Sequence, residues 1–211
     1  MHVLVIDNYD SFTYNLLHLL EGMDVSFHVV QNDQLAQIES SDFSHLLICP
    51  GPGLPEESGQ LLAFLDKWPE HKPVLGVCLG MQALLISAGG HMTNLLPVYH
   101  GAREHLFVQD HSDLFLGLPD HFKVGRYHSW GFYQAGMPEH YSVTATDSEG
   151  IVMAVTHSEW PWFGVQFHPE SIITQFGREL LTNFLESNQR KNQKSNAQVS
   201  DNALSFERTS C

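Results

Sequence analysis

The sequence has few basic residues, so the protein has little positive charge from which to form a basic surface. Lysine and arginine together number 10, against 24 aspartate and glutamate residues, and the formal net charge is −14. Four of the basic residues fall in the last stretch of the chain, at Arg190, Lys191, Lys194 and Arg208. Because contacts with nucleic-acid phosphates require clustered lysine and arginine, this composition argues against a nucleic-acid-binding surface.

Cysteine is also scarce, and long apolar runs are missing. Cys49, Cys78 and Cys211 are odd in number and widely spaced, so the sequence predicts neither a disulfide framework nor a paired-cysteine zinc site. The first apolar run, from Val3 to Ile6, follows no basic leader, and no run is long enough to span a bilayer. We therefore expect a cytoplasmic protein that does not contact a membrane.

Short apolar runs alternate with helical periodicity in the first half of the chain. Residues 3–6, 25–30 and 45–49 predict buried strands. Between the first two, apolar residues recur at helical spacing from Asp10, a candidate N-cap, to Gly22, a candidate stop. Strands that alternate with helices predict a parallel sheet covered on both faces.

The second half of the chain has a different pattern. From about residue 95 to Phe167, short β-like runs are separated by Gly, Pro, Asp and Ser, and a last helix follows. The sequence thus predicts an α/β fold in which a mostly parallel central sheet is flanked by helices, with additional antiparallel strands in the second half. We assign residues 1–187 to one domain and expect the polar tail, residues 188–211, to be disordered.

The stretch from Pro73 to Gly90 predicts a strand, a sharp turn and a helix. At its centre, Gly76 and Gly80 flank Cys78 in a Gly-x-Cys-x-Gly pattern typical of a nucleophile elbow. A thiol at a helix N-terminus is favoured as the thiolate, which attacks carbonyl carbon. The alternative is a structural cysteine in a buried strand, a common fate of free cysteine.

A histidine and a glutamate follow the last predicted strand. Proline at position 169 biases His168 towards an extended conformation, and residues two apart in an extended chain point the same way. The imidazole of His168 and the carboxylate of Glu170 can therefore be neighbours. Since Cys78 also follows an apolar strand, a Cys-His-Glu triad is geometrically reasonable.

The third predicted strand ends in a turn rich in proline and glycine, from Pro50 to Gly59. Open α/β sheets bind ligands at the carboxyl ends of their strands, so this turn is either part of a site or a tight strand-to-helix connection. It matches neither phosphate-loop pattern.

Five motifs, in order, resemble one family: the triad-type (class I) glutamine amidotransferases, and within them the small glutaminase component of anthranilate synthase and aminodeoxychorismate synthase. The resemblance runs from Val3 to about Leu185. Its markers are DNYDSFTYNL (7–16), PGPGLPEESG (50–59), GVCLGMQA (76–83), VGRYHSW (124–130) and GVQFHPES (164–171).

The resemblance implies a role for each matching residue. Cys78 would be the nucleophile, His168 the general acid and base, and Glu170 its orienting partner. Backbone amides of Gly51 and Leu79 would form the oxyanion hole. The substrate-binding positions implied by the family, which include these two, are Gly51, Pro52, Gly53, Leu79, Gln82, Ser129 and Trp130.

The resemblance also implies a reaction and a partner. L-Glutamine would be hydrolysed through a thioester, and the ammonia would pass to a chorismate-binding synthase subunit docked over the site, with no cofactor in this chain. From the residues, Asp7 to Tyr14 and the turn at Gly51 are candidates for the contact surface. Two rivals remain open: a free-standing Cys-His hydrolase of γ-glutamyl substrates, and a catalytically silent scaffold that regulates a synthase.

Some positions depart from the family pattern. Met81 stands where His is frequent, Cys49 where Ser is usual, Trp130 where a smaller apolar residue is common, and Ala102 where Lys is frequent. The sequence also contains many histidines, but no spacing among them matches a known ligand pattern, so we expect no metal site; they include His100, His105, His111 and His121.

Overall fold

The structure of the chain is a computed structural model that describes residues 1–95 and 101–187. The tail at residues 188–211, which we predict to be disordered, and His100 lie outside the described residues.

The described strands form a nine-stranded mixed sheet and a separate two-stranded sheet. The order in the large sheet is β2-β1-β3-β4-β11-β10-β9-β6-β7, and β5 pairs with β8. The strands are β1 (His2–Asp7), β2 (Ser26–Gln31), β3 (His45–Ile48), β4 (Val74–Val77), β5 (Thr93–Asn94), β6 (Ala102–Val108), β7 (His121–Arg126), β8 (Trp130–Gly131), β9 (Tyr141–Thr146), β10 (Val152–His157) and β11 (Trp162–Val165).

Helices cover both faces of the parallel part of the sheet. They are α1 (Thr13–Glu21), α2 (Leu61–Leu65), α3 (Leu79–Ser87) and α4, which is described over residues 177–187. Val3 and Val5 of β1 belong to the core cluster that also contains α1 and α4, whereas Leu4 and Ile6 belong to the cluster that contains α2 and α3. This alternation gives each face of the sheet its own apolar core.

The sheet changes direction at β11. The pairs from β2 through β11 are parallel, and those from β11 through β7 are antiparallel. This confirms the predicted fold class. The additional strands extend the same sheet, because β11 pairs with β4 on one side and with β10 on the other.

Regular helix begins slightly later than the sequence predicts in α1. Asp10 Oδ1 accepts a hydrogen bond from Phe12 N–H at 2.7 Å, as a capping residue does, but the assigned helix starts at Thr13.

The segment that follows β11 packs along the outer edge of β7. His168 N–H donates to Gly125 O at 3.2 Å, and Gln175 N–H donates to Lys123 O at 2.9 Å. In return, Lys123 N–H donates to Gln175 Oε1 at 2.9 Å. A Cβ at Gly125 would lie 2.8 Å from Ser171 Oγ and 3.1 Å from Ser171 Cβ, so glycine at this position allows the close packing. The last strand of the sheet order therefore supports the segment that carries His168.

A buried histidine at the amino end of β3 should make stability depend on pH. Burial lowers the pKa of His45 to about 4, although its Nε2–H donates to Leu185 O at 3.1 Å. Between pH 6.5 and about 4, the unfolded chain binds a proton that the folded protein does not, so stability falls as the pH falls. We expect His45→Gln to reduce this slope by about 1.4 kcal/mol per pH unit in urea unfolding.

The control for this prediction is His18→Gln, at an exposed histidine of α1. Equal slopes for the His45→Gln variant and the unmodified protein would contradict the assignment of the effect to His45.

Candidate active site

Cys78 lies on a strained turn between β4 and α3. Its backbone has φ 53° and ψ −105°, in a region that residues with a Cβ rarely adopt. Cys78 N–H donates to Val165 O at 2.8 Å, and Cys78 O accepts from Gln82 N–H at 3.1 Å to begin α3. The turn thus places the thiol at the carboxyl end of β4, as the Gly-x-Cys-x-Gly pattern predicts.

The two glycines around Cys78 are required by close packing. A Cβ at Gly76 would lie 2.4 Å from the carbonyl carbon of Gly80, and a Cβ at Gly80 would lie 2.6 Å from Ile48 O. Any side chain at either position would push α3 away from the sheet. The glycines therefore let the first turn of α3 rest directly on β3 and β4.

His168 and Glu170 form a buried pair beyond the end of β11, the strand next to β4. His168 Nδ1 lies 2.7 Å from Glu170 Oε1, and the side chains are 3% and 0% exposed. Burial lowers the pKa of His168, but the interactions with Cys78 and Glu170 outweigh it and raise the pKa to about 10. At neutral pH the imidazole is protonated and Nδ1–H donates to the carboxylate. The rings of Phe12 and Tyr127 pack against it, with centroids 5.2 and 4.8 Å away.

The proline-glycine turn comes close to the start of α3. A Cβ at Gly51 would lie 2.5 Å from Asn8 Cβ and 3.4 Å from Leu79 Cδ2. Asn8 fixes this approach, since its Nδ2–H donates to Cys49 O at 2.7 Å. Within the described residues, neither Gly51 N–H nor Leu79 N–H donates a hydrogen bond. These two amides are thus available beside Cys78.

Gln82 and the segment 129–130 also meet near Cys78. Gln82 Nε2–H donates to Trp130 O at 3.0 Å and to Gln166 Oε1 at 3.1 Å. Leu95 N–H donates to Ser129 O at 2.7 Å, which ties the segment to the residue that follows β5. The structure thus brings Gln82, Ser129 and Trp130 together, although they lie far apart in sequence.

A buried ion pair and a neutral histidine support this segment. Arg126 Nη1 lies 2.8 Å from Asp147 Oδ2, and both side chains are fully buried. Burial, followed by the charge of Arg126, lowers the pKa of His128 to about 3. The His128 ring is therefore neutral at pH 7, and its Nδ1–H donates to Trp130 O at 2.7 Å.

Two of the predicted substrate-binding residues lie apart from the others. Pro52 and Gly53 are exposed in the turn after Gly51, and Gly53 has φ +74°, which favours glycine. In the part of the chain that the structure describes, no hydrogen bond joins either residue to Cys78, His168 or Glu170.

The departures from the family pattern fall outside the Cys-His-Glu cluster. Met81 is fully buried and packs on Gly164, where a Cβ would lie 2.6 Å from Met81 Cγ. Cys49 is fully buried, and burial raises the pKa of its thiol. Ala102 begins β6, and Trp130 begins β8.

Gln166 contacts the site but was not predicted by the sequence. Its Nε2 lies 3.5 Å from Cys78 Sγ, and the residue is fully buried. The available signal is its position two residues before His168, which places both side chains on the same side of an extended chain.

Neither a metal site nor a membrane span is found in the described ranges. No group of three or more His, Cys, Asp and Glu side chains could hold a metal ion there. In residues 1–95 and 101–187, no helix combines the length and the apolar character needed to cross a bilayer.

The protein has a parallel sheet with a cysteine on a strained strand-to-helix turn. A histidine–glutamate pair lies beside this cysteine, at the end of the neighbouring strand. These features define a class of α/β proteins with a Cys-His-Glu cluster. Comparison with known families is more specific: the family described as Glutamine amidotransferase class-I matches residues 4–188. The chain therefore belongs to the class I glutamine amidotransferases, a family of enzymes, and the resemblance read from the sequence is confirmed.

Relatives and solved structures agree with this assignment. A Haemophilus influenzae protein described as an anthranilate synthase component II is 42% identical over 185 residues, covering 88% of this chain and 96% of its own. The Bacillus subtilis aminodeoxychorismate/anthranilate synthase component 2 is 39% identical over 187 residues, with coverage of 88% and 96%. A crystal structure from Thermoplasma acidophilum, described as that of a GMP synthase subunit, has a TM-score of 0.79 and 25% identity, covering 92% and 98%.

Proposed function

We propose that this chain hydrolyses L-glutamine through a γ-glutamyl thioester on Cys78 and supplies the ammonia to a chorismate-aminating synthase subunit. The observation that carries the proposal is the cluster of Cys78, His168 and Glu170 at the ends of β4 and β11, in a member of the class I glutamine amidotransferases. Residues 1–187 form the glutaminase domain, and no step needs a cofactor.

The first step is attack of the Cys78 sulfur on the side-chain amide carbon of glutamine. The tetrahedral intermediate places negative charge on the former carbonyl oxygen, and the N–H groups of Gly51 and Leu79 donate to it. The strained backbone at Cys78 keeps the thiol in a fixed position at the strand end, which avoids a search among conformations during the reaction.

His168 moves the proton in both halves of the reaction. Its imidazolium protonates the amide nitrogen as the carbon–nitrogen bond breaks, and ammonia leaves. The neutral imidazole then takes a proton from water, which attacks the thioester, and glutamate leaves while the Cys78 sulfur is released. Glu170 holds Nδ1–H throughout, so Nε2 is the nitrogen that exchanges the proton.

Glutamine recognition falls to Gln82 and the segment 129–130. Gln82 uses its amide N–H groups on Trp130 O and Gln166 Oε1, so its own Oε1 is left to accept from the α-amino group of the substrate. The N–H groups of Ser129 and Trp130 bind the α-carboxylate. Pro52 and Gly53, which are exposed in the turn after Gly51, contact the substrate from the outer side of the site.

The partner docks over the mouth of the site. Tyr9 and Tyr14 are exposed to 58% and 72%. Ile172, exposed to 102%, lines a groove of about 460 Å³ that reaches Glu170. Exposed aromatic and aliphatic side chains of this kind are common in protein interfaces. The names of the relatives, anthranilate synthase component II and aminodeoxychorismate/anthranilate synthase component 2, support a synthase subunit as the partner. Two free buried cysteines fit a reducing compartment, so we place the reaction in the cytoplasm.

The test is to combine the purified chain with a chorismate-binding synthase subunit, in the presence of glutamine labelled with ¹⁵N in its side-chain amide. We expect a stable complex, glutaminase activity that rises in the complex, and ¹⁵N in anthranilate or 4-amino-4-deoxychorismate. Strong glutaminase activity that no synthase alters would favour the free-standing hydrolase. A stable complex without glutaminase activity would favour the silent scaffold.

A further inference from the structure

The Gln166 carboxamide is fully buried beside the reacting sulfur. Its Nε2 lies 3.5 Å from Cys78 Sγ, and its backbone N–H donates to Met153 O at 2.8 Å, which anchors the residue just beyond β11. Gln166 directly follows β11 and His168 lies two residues further on, so both residues are at the carboxyl end of the same strand.

The orientation of this carboxamide follows from a chain of hydrogen bonds. Trp130 O can only accept, so the Gln82 group that faces it must be the NH₂ group. The same NH₂ group faces Gln166, which must therefore present Oε1 to it at 3.1 Å. The other end of the Gln166 carboxamide is then NH₂, and it faces Cys78 Sγ.

The hydrogen bonds are equally well defined at Trp130 O, the end of the series that lies away from the sulfur. His128 donates to the same Trp130 O at 2.7 Å, and its burial keeps the ring neutral at pH 7. Hydrogen bonds thus run from the segment proposed to bind the α-carboxylate of glutamine, through Gln82 and Gln166, to the sulfur. Each donor and acceptor in this series of hydrogen bonds has one consistent assignment.

Two other buried carboxamides, those of Asn8 and Asn183, make a different kind of contact. Asn8 Nδ2–H donates to Cys49 O, and Asn183 Nδ2–H donates to Leu114 O and Leu116 O. These side chains tie backbone segments together. Gln166 instead directs its amide N–H at the sulfur that reacts. Burying a carboxamide costs free energy unless its N–H and C=O groups form hydrogen bonds.

We infer that Gln166 is a further catalytic residue of the reaction proposed above: its Nε2–H donates to the Cys78 sulfur, stabilises the thiolate and holds it in position for attack. An N–H donor to an anionic acceptor makes a stronger hydrogen bond than one to a neutral acceptor. Among the charged and titratable groups, His168 interacts with both Cys78 and Glu170, and His128 interacts with Arg126 and His168. Gln166 adds a neutral donor that does not titrate.

The first test is Gln166→Leu, measured in two ways. We expect kcat for glutamine hydrolysis in the synthase complex to fall about 10- to 100-fold, with a smaller change in KM because Gln82 keeps its bond to Trp130 O. In the chain alone, the pH profile of Cys78 alkylation by iodoacetamide should move upward by about one to two pH units. Peptide mass spectrometry separates Cys78 from the other cysteines, and Gln109→Leu, at an exposed glutamine of the β6–β9 region, is the matched control.

The second test is Gln166→Glu, which keeps the shape of the side chain and an acceptor for Gln82. A Gln166 side chain that lay away from the sulfur would predict that this variant is alkylated like the unmodified protein. A role on the sulfur predicts that, at about pH 8 and above, alkylation of Cys78 is slowed at least as much as in Gln166→Leu, since an ionised carboxylate opposes the thiolate. If Gln166→Leu does not fold, Gln166→Met, which keeps the length of the side chain, adds no charge and lacks the N–H donor, replaces it in the first test.

Unchanged pH profiles of Cys78 alkylation in the folded variants would overturn the inference. A fall in kcat would also overturn it if the melting temperature fell as well and the alkylation profile did not change. The inference rests on the proposed function, but alkylation requires neither glutamine nor a synthase. A chain that lacks glutaminase activity with every synthase would thus refute the proposed function and still leave the role of Gln166 measurable.

Discussion

Cys78→Ser is expected to abolish glutamine-dependent synthesis by the complex, by about 10⁴-fold or more, and to leave ammonia-dependent synthesis unchanged. A serine hydroxyl fits the same turn, but it is not ionised at neutral pH, whereas the thiolate of cysteine is the form that attacks. No nucleophile then attacks the amide carbon. Ammonia added from solution bypasses this step, because amination takes place on the synthase subunit. Product formation from glutamine and from ammonium salts, measured on the same complex, checks both halves of the prediction.

Cys49→Ser is the matched control for this experiment. Cys49 ends the apolar run of β3, is fully buried, and lies on the same side of the sheet as Cys78 in one apolar cluster. Its replacement should preserve glutamine use, since serine is usual at this position in the family. Glutamine-dependent synthesis retained by Cys78→Ser would refute the thioester mechanism.

His168→Asn should have an effect of similar size, with a fall in glutamine hydrolysis of about 10⁴-fold or more. Asparagine cannot protonate the leaving ammonia or activate water. It also removes a cation: burial lowers the pKa of His168, but Cys78 and Glu170 raise it to about 10, so the imidazolium stands beside the sulfur at neutral pH. Iodoacetamide should therefore react with Cys78 much more slowly at pH 7 in the variant, and the rate should recover at higher pH.

The control is His45→Gln, which replaces another buried histidine at the opposite end of the sheet, where β3 begins. Its glutaminase activity at neutral pH should match that of the unmodified protein. A His168→Asn variant that hydrolyses glutamine at within tenfold of the normal rate, with unchanged alkylation at pH 7, would show that another group performs the proton transfers.

The parallel half of the fold could be predicted from the sequence because each strand and helix there is determined by residues close together in the sequence. Strands buried on both faces appear as uninterrupted apolar runs, and the alternation of Val3 and Leu4 between two cores needs no knowledge of distant residues. The elbow was visible because its Gly-x-Cys-x-Gly pattern is local in the sequence, although the contact that requires glycine at position 80 is with Ile48 on β3. The start of α1 shows how precisely a helix boundary can be predicted, because the capping residue and the first residue of regular helix are a few positions apart.

The rest of the site depends on contacts between distant residues. The pairing of Arg126 with Asp147, and the approach of Gln82 to Trp130, arise only after the antiparallel strands join the sheet. Gln166 was overlooked because one glutamine in an apolar strand gives no periodic signal, and its importance becomes clear only from its distance to the sulfur. The sequence suggested the chemistry through its motifs, but the hydrogen-bond chain that connects them is a tertiary feature.

The packing of residues 168–175 against β7 has a consequence for association. An outer strand normally exposes unpaired N–H and C=O groups, which can recruit a strand from another molecule and start aggregation. Along β7, Lys123 and Gly125 already bond to the segment that carries His168, so that rim is occupied by the chain itself. Within the described strands, the other rim of the large sheet is β2, at the far end of the strand order. Strand-to-strand addition would therefore have to occur at β2, away from the catalytic mouth, which stays open to a differently shaped partner.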